Sequence, residues 1–141
     1  MPTRQANAEW QGNLARGSGT MSFGSGAFQG AYTAASRFES GEGTNPEELI
    51  AAAHAGCFSM AFALALSEAG HEPESVQTTA RVSIEKDDGG FSITRSELAT
   101  EVKVEGLDDA EFQRLANDAK QGCPVSRALG AIEIGLDAKL A

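Results

Sequence analysis

Cysteine, histidine and large aromatic residues are scarce in this sequence, and each scarcity excludes a class of protein. Of 141 residues only two are Cys, two His, one Trp and one Tyr. Cys57 and Cys123 lie far apart in the chain and form no CxxC unit, which excludes a thioredoxin-type motif. A zinc site would need both Cys and both His at spacings that zinc sites do not use, so no metal is expected. Basic residues are also few: 11 Lys and Arg stand against 20 Asp and Glu, a formal net charge of −9. That balance argues against nucleic acid as a partner, because phosphate neutralisation needs clustered Lys and Arg. The N-terminus, Met1-Pro2-Thr3-Arg4-Gln5, has no apolar core of a signal peptide, and the expected location is cytoplasmic. In a reducing compartment two cysteines are not expected to serve as a static staple.

What is present is ordinary for a globular chain: 41% apolar and 22% charged residues in a length that suits one domain, residues 1–141. The longest stretch without a charge runs from Leu49 to Ser67. It is rich in Ala and holds His54, Gly56 and two serines, so it reads as the core helix of a water-soluble protein rather than a membrane span.

Glycines spaced between short apolar runs over residues 8–38 predict two or three short strands joined by tight turns. Ser40-Gly41-Glu42-Gly43 reads as a loop. Asn45-Pro46-Glu47-Glu48 then supplies an N-cap, a proline at the first helical position and acids in the first turn. The helix that follows, to about Gly70, is apolar on every side and therefore predicts cover on every side, in part by a second copy of the chain. Val76, Thr78, Ala80, Val82 and Ile84 alternate with polar neighbours as a half-buried strand. Asp87-Asp88-Gly89-Gly90 is a turn, and Phe91 to Glu105 returns as a longer strand. Asp108 with Glu111 opens a helix that Gly122 ends, Cys123-Pro124 starts a short helix, and Ile132 to Leu140 closes the chain as a strand. The fold class is α+β, mostly antiparallel sheet wrapped about a long central apolar helix.

Cys57 lies in the middle of that helix, where a free Cys commonly packs as a small hydrophobe. Cys123 precedes a helix-initiating proline, a place that favours a thiolate, so by local rules it is the more acidic thiol. Mid-helix, Cys57 needs a cation if it is to react near neutral pH. Should the fold bring the two together, attack by one and resolution by the other is a ready route to two-electron redox chemistry. His54 lies three residues before Cys57 on the same helix face. It reads either as half of a Cys–His hydrolase or acyl transferase or as a polar group bonded inside the protein.

Two blocks carry a family resemblance. Arg37-Phe38-Glu39, Gly43-Thr44-Asn45-Pro46-Glu47-Glu48-Leu49-Ile50 and Ala52-Ala53-His54-Ala55-Gly56-Cys57-Phe58-Ser59-Met60-Ala61 form the first. Gly122-Cys123-Pro124-Val125-Ser126 is the second. Together they resemble the OsmC/Ohr family of osmotically inducible protein C and organic hydroperoxide resistance proteins. His54 and the placement of Arg37 look more like the OsmC branch. The resemblance implies an intertwined homodimer with its active sites at the subunit interface, and peroxidase activity toward organic hydroperoxides. It implies no haem, flavin or metal cofactor, and an external dithiol of the dihydrolipoyl type as reductant. In the implied mechanism Cys57 attacks the peroxide and Cys123 resolves the sulfenic acid. Arg37 activates Cys57, and Glu47 aims the arginine. Arg16, nearer the N-terminus, is the rival cation.

Glu48 has a structural role available, reaching back from the third helical position to the Asn45 N–H, whereas Glu47 has none and is free to hold Arg37. Ten residues of helix rise about 15 Å, so Glu47 does not touch Cys57 of its own helix. Either the helix is interrupted, or Arg37 spans the gap, or the acid comes from the partner subunit. The rival functions are a Cys57/His54 hydrolase or acyl transferase and a non-catalytic dimer that binds an apolar ligand.

Overall fold

The structure is a computed structural model describing residues 1–141. The chain divides into two compact units, Met1–Leu49 and Ile50–Ala141.

The first unit is built on a three-stranded antiparallel sheet of β1 (Ala6–Gln11), β2 (Ser18–Phe23) and β3 (Gln29–Tyr32) in that order, as the glycine-punctuated pattern predicts. Gly19 is small for a packing reason. The Trp10 and Tyr32 rings, 5.3 Å apart, close over it, and a Cβ there would lie within 2.7 Å of both. After β3 comes a short helix absent from the sequence reading, α1 (Ala34–Phe38). Its signal is the pair Thr33 and Ser36: Ser36 N–H donates to Thr33 Oγ1 at 3.1 Å and Thr33 N–H to Ser36 Oγ at 2.8 Å, a reciprocal capping box. The buried Ser36 hydroxyl also donates to the Thr44 carbonyl, and Asn45 Nδ2 to the Ser36 carbonyl, so α1 is tied to the residues that start the next helix. Gly43 allows the tight return between them. Its φ is +115°, and a Cβ would meet the Ala31 carbonyl oxygen at 2.6 Å.

Helix α2 (Pro46–Glu68) is a single unbroken helix of 23 residues whose first turn belongs to the first unit. Asn45 caps it, its Oδ1 accepting the Glu48 N–H at 2.7 Å. The expected reciprocal bond is not made, because the Glu48 carboxylate takes the Thr44 hydroxyl at 2.8 Å instead of the Asn45 N–H. At the far end His71 N–H donates to the Leu66 carbonyl and Gly70 N–H to that of Ser67, with Gly70 at φ +89°. This is the Schellman arrangement that Gly at this place permits.

In the second unit β4 (Ser75–Asp87) and β5 (Gly90–Lys103) form a long antiparallel hairpin with an irregularity at Ser83/Ile84. Helices α3 (Asp109–Gly122) and α4 (Pro124–Ala128) follow, and β6 (Glu133–Leu140) completes an open sheet of order β4-β5-β6. β6 runs parallel to β5, the one parallel pair in an otherwise antiparallel arrangement, in keeping with a mostly antiparallel fold. The two helices carry the chain back across the sheet, and a connection of that length delivers a parallel neighbour.

The core forms where α2 meets this sheet and α3. Phe58, Phe62 and Leu66, each four residues apart on one stripe of α2, are fully buried with Phe112, Leu115 and Ala116 of α3 and Leu98 and Val102 of β5. The Phe62 ring lies 5.6 Å from Phe58 and 5.2 Å from Phe112. Burying such a side chain contributes about 1.5–3 kcal/mol. α2 is long and apolar enough to cross a membrane, yet this stripe packs on the unit's own sheet and helix. Cover on every side is not supplied by the chain itself: Met60 is 77% and Leu64 59% exposed. Phe62→Ala is expected to cost about 3–5 kcal/mol, the cavity adding to the lost transfer free energy. Urea denaturation checks this through a lower midpoint at an unchanged slope.

Candidate active site

A cysteine inside a helix reacts only if another element delivers a partner to it. Here α4 does so. Cys123 sits between α3 and α4, its N–H donating to the Ala119 carbonyl at 2.9 Å while its own carbonyl accepts the Arg127 N–H at 3.0 Å. Held at both ends, its side chain is fully buried against α2, with its sulfur 2.9 Å from that of the half-buried Cys57. Both are free thiols. Their environments push them apart. Burial raises the Cys57 thiol, and the hydrogen bond shared with Cys123 raises it further, against a smaller pull from the Val125 N–H. Burial alone would raise Cys123 too. The hydrogen bond from Cys57, the Ser126 N–H and hydroxyl and the Val125 N–H outweigh it and leave Cys123 below the ordinary thiol value. No cation is among the groups acting on either sulfur.

His54, one turn before Cys57, is fully buried and bonded at both ring nitrogens. Nδ1 lies 2.7 Å from Ser96 Oγ on β5, and Nε2 lies 2.7 Å from Ser126 Oγ on α4. Burial lowers its pKa below the usual histidine value, which keeps the imidazole neutral near neutral pH. With both nitrogens engaged by serines, none faces Cys57, and the geometry of a Cys57/His54 hydrolase is not formed. Sequence reasoning missed Ser96 and Ser126. Ser96 carries no local signal, since its role depends on a strand that comes 42 positions after His54. Ser126 stands three residues after an N-cap, the place from which a side chain reaches back to the cap, and could have been found.

The other expected pair is assembled within the first unit. Arg37, on the last turn of α1, donates Nε and Nη2 to the two carboxylate oxygens of Glu47, each at 3.0 Å. Glu47 is 6% exposed, so its charge is compensated by a fork of two charge-assisted bonds in a sheltered place. The Arg37 side chain keeps 36% of its surface exposed, packs over the Phe38 ring, and has Nη1 outside the Glu47 fork. Arg37 and Glu47 of one chain thus pair with each other, and the unbroken α2 removes the interrupted-helix alternative. Arg16, the rival cation, lies exposed in the turn between β1 and β2, where its backbone N–H donates to Asn13 Oδ1. No group of three or more His, Cys, Asp or Glu side chains converges as metal ligands do.

Comparison with known proteins agrees with this architecture. Residues 39–137 match the family model described as OsmC-like protein. The chain is 51% identical over 138 residues to peroxiredoxin OsmC of Escherichia coli strain K12, covering 97% of this chain and 96% of that one. It is 40% identical over 98 residues to an organic hydroperoxide resistance protein of Xanthomonas axonopodis pv. citri, covering 68% of this chain and 67% of the relative. Among solved structures, the organic hydroperoxide resistance protein OhrB of Bacillus subtilis superposes with a TM-score of 0.71 at 30% identity, over 95% of this chain and 97% of that one. An OsmC-like protein from Vibrio cholerae shares the fold at a TM-score of 0.78 and 17% identity, over 98% of this chain and 99% of that one. The α+β fold with its paired cysteines and the extent of these matches lead to one conclusion: the chain belongs to the OsmC family.

Proposed function

We propose that this protein is a cysteine-based peroxidase that reduces organic hydroperoxides to alcohols, the 141 residues acting as one domain within a homodimer. The observation that carries the reading is the meeting of its only two thiols, 66 positions apart in sequence, at 2.9 Å. The names of its relatives, a peroxiredoxin and organic hydroperoxide resistance proteins, support the same substrate class.

Cys57, the more exposed sulfur, is the attacking thiol. Its thiolate takes the distal peroxide oxygen, the O–O bond breaks, and the alkoxide leaves as alcohol after taking up a proton. Cys57 becomes a sulfenic acid. Cys123 then forms the S–S bond as the S–O bond breaks and water departs, and an external dithiol of the dihydrolipoyl type reduces the disulfide. No prosthetic cofactor takes part. The raised Cys57 thiol needs a cation, and none acts on it within its own unit. Arg37 is suited to this. Glu47 fixes one edge of its guanidinium, which leaves the rest to face a thiolate and a peroxide oxygen. The exposed apolar stripe of α2, with Met60 and Leu64, fits a second copy of the chain, and that copy brings the Arg37–Glu47 pair of one subunit to Cys57 of the other. The protein acts in the cytoplasm.

Counting free thiols before and after one equivalent of cumene hydroperoxide tests the reading. Two thiols are lost per chain if it holds, and none if the protein is a ligand-binding dimer. Cys57→Ser is expected to abolish peroxide consumption, while Cys123→Ser reacts once and stalls as a trappable sulfenic acid. Wild-type turnover by Cys57→Ser would reverse the assignment.

Arg37→Ala is expected to raise the Cys57 pKa and slow its oxidation, a tenfold effect for each unit, or about 1.4 kcal/mol. Arg37→Lys rescues poorly, since an ammonium lacks the planar fork. Glu47→Ala impairs turnover, and Glu48→Ala leaves turnover near wild type. Peroxidase rates and thiolate absorbance titrations separate these outcomes from equal damage by both glutamate variants. Sedimentation is expected to show a dimer wherever the chain is folded, and a folded monomer would contradict the apolar-stripe argument.

A further inference from the structure

The mechanism above leaves one buried titratable group without a task. His54 is fully buried, and a Leu or Phe of similar volume would fill its place without burying an imidazole and two hydroxyls. Its position is specific. α2 carries His54 and Cys57 three residues apart, and the segment that begins α4 carries Cys123 and Ser126 three residues apart. The two segments are joined by two rungs, Cys57 to Cys123 at 2.9 Å and His54 Nε2 to Ser126 Oγ at 2.7 Å. The second rung holds the start of α4 at the height where the first is made.

We propose that His54 is a positioning residue for Cys123: its Nε2–H donates to the Ser126 hydroxyl, which commits that hydroxyl's single proton to the Cys123 sulfur and prepares Cys123 to attack the Cys57 sulfenic acid. A neutral imidazole has one donor and one acceptor, and a serine hydroxyl has one proton. Both ring nitrogens lie 2.7 Å from a serine hydroxyl; in the tautomer assigned by this proposal the Ser96 hydroxyl donates to Nδ1 and Nε2–H donates to Ser126 Oγ, which leaves the Ser126 proton for the sulfur. Ser126 follows the N-cap Cys123 by three places in the first turn of α4, and its hydroxyl is among the groups that favour the Cys123 thiolate. The titratable group directly against Cys123 is Cys57, with His54 acting through Ser126. In the step so prepared, the Cys123 electron pair makes the S–S bond and the Cys57 S–O bond breaks. The departing hydroxide takes up the proton that Cys123 gave up. Cys123 is oxidised, and the Cys57 sulfur is reduced.

This inference rests on the peroxidase reading for its catalytic step, but its hydrogen-bond chain is measured without peroxide. In a Cys57→Ser background Cys123 is the one thiol, and its thiolate absorbance is titrated. Ser126→Ala and His54→Leu are each expected to raise the midpoint by about one unit, tenfold less thiolate at a given pH. Ser126→Thr and His54→Gln, which keep a hydroxyl and an amide donor respectively, restore it. In the two-cysteine protein, one equivalent of cumene hydroperoxide is followed with a sulfenic-acid trap. Ser126→Ala is expected to lower the rate of disulfide formation about tenfold relative to the rate of sulfenic acid formation. An unmoved Cys123 titration, or equal slowing of both steps, overturns the proposal. If His54→Leu does not fold, Ser126→Ala decides, since it removes one oxygen and leaves the imidazole packed. Absence of thiol loss in the wild type overturns the peroxidase reading, while the titration still decides for or against the chain from His54 to Cys123.

Discussion

The contact between α2 and the residues that open α4 is the constraint on which the rest of the second unit depends. It places a sulfur from each element at 2.9 Å and a histidine against a serine at 2.7 Å, and all four groups are removed in whole or part from water. Such polar contacts are sustained inside a protein only if the apolar surroundings are close-packed and every donor finds an acceptor. The Phe58, Phe62 and Leu66 stripe meets the first requirement and the Ser96–His54–Ser126 chain the second. The sheet and α3 serve as the platform that presses one helix on the other.

Reactivity in this arrangement comes from asymmetry. Two identical thiols in identical surroundings would share a proton and have no assigned roles. Here burial and the shared hydrogen bond raise Cys57, and the N–H groups and hydroxyl at the start of α4 lower Cys123. A thiol with a raised pKa needs a cation to react near neutral pH, and the proposed mechanism takes that cation to be Arg37. The Arg37–Glu47 pair is anchored by the α1 capping box and by the ties from Ser36 and Asn45. In the mechanism proposed above, it is a second copy of the chain that brings this pair to the sulfur centre.

Much of this was legible in the residues. The glycine-rich strands, the Asn45-Pro46 helix start, the alternation of β4 and β5 and the Asp108 cap are local patterns, decided by backbone conformations and hydrogen bonds within a few residues. The Cys and Arg–Glu positions were legible through resemblance, because the blocks around them are distinctive. α1 was missed although Thr33 and Ser36 signal it, since a five-residue helix has no periodicity to read. The parallel direction of β6 could not be read, because an alternating strand looks the same whichever way its neighbour runs.

The sequence by itself determined the longer elements, the apolar character of α2 and the identity of the groups able to do redox chemistry, because each follows from residue type and near-neighbour spacing. Tertiary structure decided which of those groups meet. His54 could have faced Cys57 as a base, and only the arrival of Ser96 and Ser126 from β5 and α4 gave both its nitrogens other partners. Glu48 could have closed a capping box, and the nearby Thr44 hydroxyl took its carboxylate instead. Hydrogen bonds and sulfur contacts are short-range, so they depend on positions set by the packing of distant segments, and no pattern along the chain encodes a distance of 2.7 Å between residues 72 positions apart.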